Sequence, residues 1–173
     1  MANKQMEDWD RFFQMLQNED PYQHLRSIHD WKTWYDHTKP WVTHLSLQER
    51  SHQMREWIEK YQKPIIIDEC YYEGNLPFTW GDITAQDMTM QFWDAMTKGG
   101  YASHGETYLN DDNIIWWSHG GKLIGDSIER IAYLRQIIES FPHNGLTSFN
   151  GSPIKWNRLN SVRLDDDFFL FYF

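Results

Sequence analysis

The sequence predicts an α/β chain of parallel βα units, amounting to about half of a (β/α)8 TIM barrel, followed by a β-rich segment. Three observations carry this expectation. Apolar periodicity switches repeatedly between helical and extended spacing. The run Ile65-Ile66-Ile67 has the continuous β-branched character of a strand buried on both faces. From Phe141 onward, turn signals replace helical patterning. A full barrel takes about 250 residues, so residues 1–140 supply roughly half of one. A smaller doubly wound sheet is the competing fold, since it closes its core without a second half.

Each element follows from local pattern. Trp9, Phe12, Phe13 and Leu16 stand at helical spacing within Met6 to Gln17, and Pro21 stops the chain soon after. His24 to His29 reads as a short extended stretch, and Trp41 to Leu45, introduced by Pro40, reads as a second. The pair Ser46-x-x-Glu49 has the form of a capping box, with Met54, Trp57, Ile58 and Tyr61 as the apolar stripe of the helix it opens. Lys63-Pro64 ends that helix and launches the isoleucine strand. Thr84-x-x-Asp87 opens a further helix through Met88, Phe92 and Met96, closed by Gly99-Gly100. Tyr101 to His104 is the next strand, and a last helix begins near Asp126 or Ser127 and carries Ile128, Ile131, Leu134 and Ile138. Val162 to Leu164 and Phe168 to Phe173 read as strands of a second unit. The expected division is a first domain over 1–140 and a β-rich domain over 141–173, cut off after its first strands because the chain ends on the naked apolar run FFLFYF.

Composition excludes several classes. The 173 residues carry a formal net charge of −9, which argues against nucleic acid or anionic lipid as partners. The longest apolar run, FFLFYF, is six residues, far short of the roughly 20 that span a membrane. One cysteine, Cys70, excludes an internal disulfide framework and a cysteine-based zinc knuckle. The first residues lack a basic region followed by an apolar one, so no export signal is read and a cytoplasmic location is the default. Aromatics, at 17%, are the unusual feature: ten Trp, nine Tyr and ten Phe must fill cores or line binding surfaces.

The sharpest chemical signal is Asp68-Glu69, delivered by the isoleucine strand into a loop at its carboxyl end and flanked by Tyr71 and Tyr72. In parallel α/β sheets ligands bind at that end. A rigidly held carboxylate suits glycoside hydrolysis, which uses one carboxyl as nucleophile or base and a second as acid. The blander alternative is a carboxylate that caps the loop or pairs with an arginine. Strand alternation turns Asp68 and Glu69 to opposite faces, and by alternation alone either could face the rim.

A second cluster, His104-Gly105-Glu106-Thr107-Tyr108, places His104, Glu106 and Tyr108 beside a glycine that admits close backbone approach. These residues could bind sugar hydroxyls and tune the nucleophile, or be a strand end satisfied by its own loops. Trp80 and the pair Trp116-Trp117 fall in loops where flat rings stack on pyranose faces. Eight histidines raise a metal-dependent hydrolase as an alternative, with His29 and His44 at successive strand ends, yet no His-x-His or His-Glu-x-x-His occurs. Gly99-Gly100 and Gly120-Gly121 lack the Lys and Ser/Thr of a phosphate loop. No cofactor is expected.

The segments DPYQHLRSIHD, KPIIIDECYYEG, GGYASHGETY and IIWWSHGGKLIGDS, in that order, resemble bacterial glycoside-hydrolase-like barrels of the apiosidase-like and cellulase-type retaining clan, over Asp8 to Glu139. LDDDFFLFYF resembles the start of the small β-sandwich that follows such barrels. The resemblance implies that Glu69 is the nucleophile at the end of strand seven. It places His29 on strand five, His44 on strand six and His104 to Glu106 on strand eight. Strands one to four, with the acid/base glutamate, would then lie outside this chain.

The expected substrate contacts are therefore His29, His44, Tyr71 and Trp80, joined by His104, Glu106, Tyr108 and Trp116. The expected partner is a carbohydrate. An isolated half barrel is expected to be inactive, and to associate into a homo-oligomer or with a missing amino-terminal half. A carbohydrate-binding remnant without catalysis is the alternative from another class.

Overall fold

A computed structural model describes residues 4–30, 34–109, 122–141, 145–149, 160–164 and 167–172. The first helix, α1 (Met6–Glu19), opens where the Asp8 carboxylate accepts the Gln5 N–H at 2.9 Å. It closes where the Asp20 carboxylate takes the N–H groups of Tyr22 and His24, just after Pro21. Of its apolar stripe only Phe13 is buried, stacked on Tyr35 in a small cluster with Val42, whereas Leu16 is largely exposed.

The main sheet contains β1 (His29–Asp30), β2 (Leu45–Leu47), β3 (Ile65–Ile67) and β5 (Tyr101–Ala102), in that order and parallel throughout. Leu45 pairs with Ile65 and Leu47 with Ile67; all four side chains are fully buried. They form the core with Met54 and Trp57 of α2 (Met54–Tyr61) and Met88 and Ala95 of α3 (Ala85–Thr97). Burying a side chain of this size stabilises by about 1.5–3 kcal/mol.

The half-barrel expectation is corrected by this topology. The sheet is open: its strands are two or three residues long, and it ends on β1 and β5 with nothing closing it among the described residues. Ile66 is only half-buried, so the isoleucine strand is not enclosed on both sides. Barrel closure depends on strand tilt and stagger across many strands, which a local hydrophobic pattern does not encode. The strand order runs one way without reversing, so the sheet is not doubly wound either.

Beyond β3 and β5 the same two chain segments pair a second time. A short parallel sheet joins β4 (Glu73–Gly74) to β6 (Glu106–Thr107), with Glu73 opposite Glu106. Between the two pairings, residues 68–72 and 103–105 leave a gap in the strand ladder. Ser103 pins one margin of this gap, its N–H bonding Ile67 O at 2.9 Å and its hydroxyl bonding Asp68 O at 2.5 Å. Cys70 is buried there, its thiol 3.4 Å from Ser103 O. Burial pushes that thiol's pKa up to about 12.

Helix α3 has the expected cap, with Thr84 Oγ1 accepting the Asp87 N–H at 3.1 Å, and it ends before Gly99, whose φ of +93° suits glycine. The Ser46 capping box does not form. Ser46 lies inside β2 and gives its hydroxyl to Asp68, while a 3-10 turn over Ser51–Gln53 leads into α2. The strands expected over His24 to His29 and Trp41 to Leu45 lie further along the chain, as β1 and β2, which share only His29 and Leu45 with those stretches. Before them Arg26 and Thr43 are joined by N–H bonds of 2.6 and 2.9 Å, the first to the Thr43 side chain.

Helix α4 (Ser127–Glu139) packs against α3. The tail forms one antiparallel sheet of β7 (Thr147–Ser148), β8 (Asn160–Leu164) and β9 (Phe168–Tyr172). It rests on α3, where Trp93 stacks on Tyr172 with ring centroids 4.9 Å apart. Among the described residues no second sheet faces it.

Candidate functional site

The carboxyl ends of β2 and β3 open into a cleft of about 550 Å3. Gln48 and Glu49 line it from the β2 side, and Glu69, Tyr71, Tyr72, Thr79 and Trp80 from the β3 side. Glu69 Oε1 accepts the Tyr72 hydroxyl, and its Oε2 lies 3.2 Å from His29 Nε2. These two donors fix the direction of the carboxylate. Its partners among the described residues are a phenol and an imidazole, not a guanidinium.

Asp68 is held as firmly. Its carboxylate accepts the Ser46 hydroxyl and lies 3.0 Å from His29 Nδ1. Asp68 and Glu69 therefore meet the same imidazole. The alternation argument that separates them does not apply, because β3 ends at Ile67 and both residues belong to the loop. Burial pulls the His29 pKa down, but the hydrogen bond and charge of Asp68, a Gln48 bond and the Glu69 charge outweigh it, and the net shift is upward. Tyr72 is raised by burial and by its bond to Glu69.

The backbone turns sharply beside this carboxylate. Tyr71 has φ +73°, a conformation costly for a bulky side chain and characteristic of functional loops. The Arg50 guanidinium covers its ring at 4.4 Å. The Tyr72 ring fits only because Gly105 has no side chain: a Cβ there would fall 2.6 Å from the ring. Trp80 meets Tyr72 edge-on at 6.0 Å, and Phe78 stacks on Trp80 at 5.5 Å, which covers one of the indole faces.

The remaining expected residues gather elsewhere. His104, Glu106 and Tyr108 surround Glu73 at the amino end of α4. Glu106 accepts the N–H groups of Ile124 and Gly125 at 2.9 and 3.1 Å, and Glu73 those of Asp126 and Ser127 at 2.8 and 3.1 Å. Tyr108 donates to Glu73 at 3.1 Å, and His104 Nε2 lies 3.1 Å from Ser127 Oγ. Glu73, His104 and Glu106 bring potential metal-ligand atoms within 4.8 Å of one another, yet each carboxylate oxygen already holds a backbone N–H. The arrangement is a clasp for a helix terminus, where anions are favoured. His44 stands before β2 with Nδ1 3.0 Å from Thr43 Oγ1, and does not line the cleft. Trp116 lies outside the described residues.

The sequence reading missed Asp68 as a second contact of His29, and Gln48, Glu49 and Thr79 on the cleft wall. It also missed Glu73. The available signal was the pair of flanking glycines, Glu73-Gly74 and Gly105-Glu106, which mark close backbone approach.

Fold and cleft together define an α/β protein with an acidic, aromatic-lined site at the carboxyl end of a parallel sheet. The chain is similar to a solved structure described as a "putative glycoside hydrolase" from Bacteroides vulgatus ATCC 8482, at 38% identity over 87% of this chain with a TM-score of 0.78. The chain spans 30% of that protein's length. The likeness supports a glycoside-hydrolase-like family. No protein-family model matches the chain, and no curated protein matches it.

Proposed function

We propose that the cleft binds a carbohydrate and that Glu69 is the nucleophile of a glycoside-hydrolysing site. The observation that carries this reading is the setting of Glu69 on the cleft wall beside Tyr71 and Trp80, with Tyr72 and His29 directing its carboxylate. The similarity to the Bacteroides protein favours the same chemistry. In this reading a Glu69 oxygen attacks the anomeric carbon as the glycosidic bond breaks, and water later releases the sugar. A general acid protonates the leaving oxygen of ordinary glycosides. Tyr71 and Trp80 exclude water from the sugar's apolar face.

The test uses 2,4-dinitrophenyl glycosides of glucose, xylose, galactose and arabinose, whose leaving group departs without a proton and so isolates the Glu69 step. A burst of about one dinitrophenolate per chain, without the sustained turnover that an acid/base glutamate would support, abolished in Glu69→Gln with an unchanged circular dichroism spectrum, is the expected result. Release that persists in Glu69→Gln, or no release from any member of the panel, overturns the assignment.

A further inference from the structure

His29 is flanked on both ring nitrogens by carboxylates, Asp68 at 3.0 Å from Nδ1 and Glu69 at 3.2 Å from Nε2. A neutral imidazole carries one N–H, so one of its nitrogens would turn a lone pair toward a carboxylate. Only the imidazolium donates to both. We propose that His29 is a positioning residue whose imidazolium form clamps Glu69 against Asp68 and aims it into the cleft, so that loss of the ring proton releases Glu69. The role assigned to Glu69 rests on the reading above, while the clamp itself stands on the geometry.

The groups that face the ring agree with this. Asp68 and Glu69 come from the loop after β3, and Gln48 from the end of β2. Asp68 is itself anchored by Ser46 and acts electrostatically on His44, so its carboxylate is the fixed jaw. Glu69 is the free jaw, with one oxygen on the ring and the other on the Tyr72 hydroxyl. The upward shift of His29 fits a ring that gains two anionic partners on folding. For a raised histidine the clamp is complete below the ordinary value of 6.5 and is lost as pH rises through the folded value.

The decisive experiment is an imidazole NMR titration of the full chain, with the His29 resonance assigned from its disappearance in His29→Asn. A midpoint above 6.5 in the unmodified protein, lowered in Asp68→Asn and lowered again in Asp68→Asn with Glu69→Gln, is the expected result. A midpoint at or below 6.5, or one that ignores both substitutions, overturns the clamp. The unmodified chain alone supplies the first comparison, so a variant that misfolds does not spoil the test. If dinitrophenyl glycosides are hydrolysed, the rate falls about tenfold per pH unit above the His29 midpoint, and that alkaline limb disappears in His29→Asn. A raised, carboxylate-dependent midpoint in a chain that hydrolyses nothing upholds the clamp and overturns the glycosidase reading. Hydrolysis with an ordinary His29 midpoint overturns the clamp alone.

Discussion

Glu73 and Glu106 face each other across a parallel strand pair, and four consecutive backbone N–H groups, Ile124 to Ser127, occupy their four oxygens. Two buried carboxylates side by side repel strongly unless donors surround them. Here Asp126 and Ser127 are among the N–H groups that a helix leaves unpaired at its start, and Ile124 and Gly125 add two more from the loop just before α4. The same contact solves two problems: it neutralises an acidic pair and it caps a helix.

Gly125 is what lets the loop lie against both carboxylates. A Cβ there would stand 2.5 Å from Glu73 Oε2 and 2.8 Å from Glu106 Oε1. Gly125→Ala is expected to destabilise the chain by about 1–3 kcal/mol. Glu106→Gln, which turns an amide N–H toward a backbone N–H, is expected to cost a similar amount, about 1–3 kcal/mol. Urea unfolding followed by circular dichroism checks both, and an unchanged midpoint in either variant contradicts the clasp.

Acid should destabilise the fold in two stages. His104 is lowered by burial, partly opposed by the Glu106 and Glu73 charges, and His44 is lowered by burial against the pull of Asp68. The unfolded rings take protons below about pH 6.5 while the folded rings resist, so stability falls as pH drops through that value. Glu73 is lowered despite burial, because Ser127, Asp126 and Tyr108 bond to it; its contribution is present above the ordinary 4.5 and is lost as pH falls further. His29 does not offset the loss, since its stabilising effect is already complete below 6.5. Urea midpoints measured from pH 7.5 down to about pH 2.5 should decline through both ranges; a flat profile contradicts the assignment.

Tyr72 and Gly105 can be separated by mutation. Tyr72→Phe keeps the ring in its slot and removes the hydroxyl with its bond to Glu69, so stability should change by about 1 kcal/mol. Gly105→Ala pushes the whole ring out and should cost about 1–3 kcal/mol. If Glu69 reacts with glycosides, both variants should slow dinitrophenolate release about tenfold or more, Tyr72→Phe without loss of fold. Equal stability of the two variants would show that the ring has another place to go.

The open sheet makes a prediction about the isoleucine strand. Ile67→Ala, in the closed core against Leu47, should cost about 2–5 kcal/mol. Ile66→Ala, on the half-covered face, should cost clearly less. Equal losses in thermal or urea unfolding would mean that the second face is as enclosed as the first.

What the sequence makes legible here is whatever a short window controls. The Thr84 and Asp87 cap, the Gly99 stop, the isoleucine strand and the final helix from Ser127 all depend on neighbours within four residues, and all stand where local chemistry puts them. Sheet closure is not of that kind, and the barrel expectation failed because tilt and stagger belong to the assembled sheet. The Ser46 cap failed for a related reason: a distant acceptor, Asp68, claims the hydroxyl. For the candidate site, the strand-end position of Glu69 was readable, but its bonds were not, since His29 lies forty residues upstream in sequence. The grouping of His104, Glu106 and Tyr108 was visible, yet their common partner Glu73 arrives through the second strand pairing, which two-residue strands do not announce.

Cys70 has a practical consequence. It is the chain's sole sulfhydryl, sealed beside Met88 and Ser103 with its ionisation pushed up to about 12. Maleimides and thiol-reactive nitroxide reagents, which are attacked by the ionised thiolate, should pass it by near neutrality. A cysteine introduced at a solvent-facing position such as Tyr22 would then be the lone reactive handle, and a fluorophore or spin label could be installed there without first deleting the native residue.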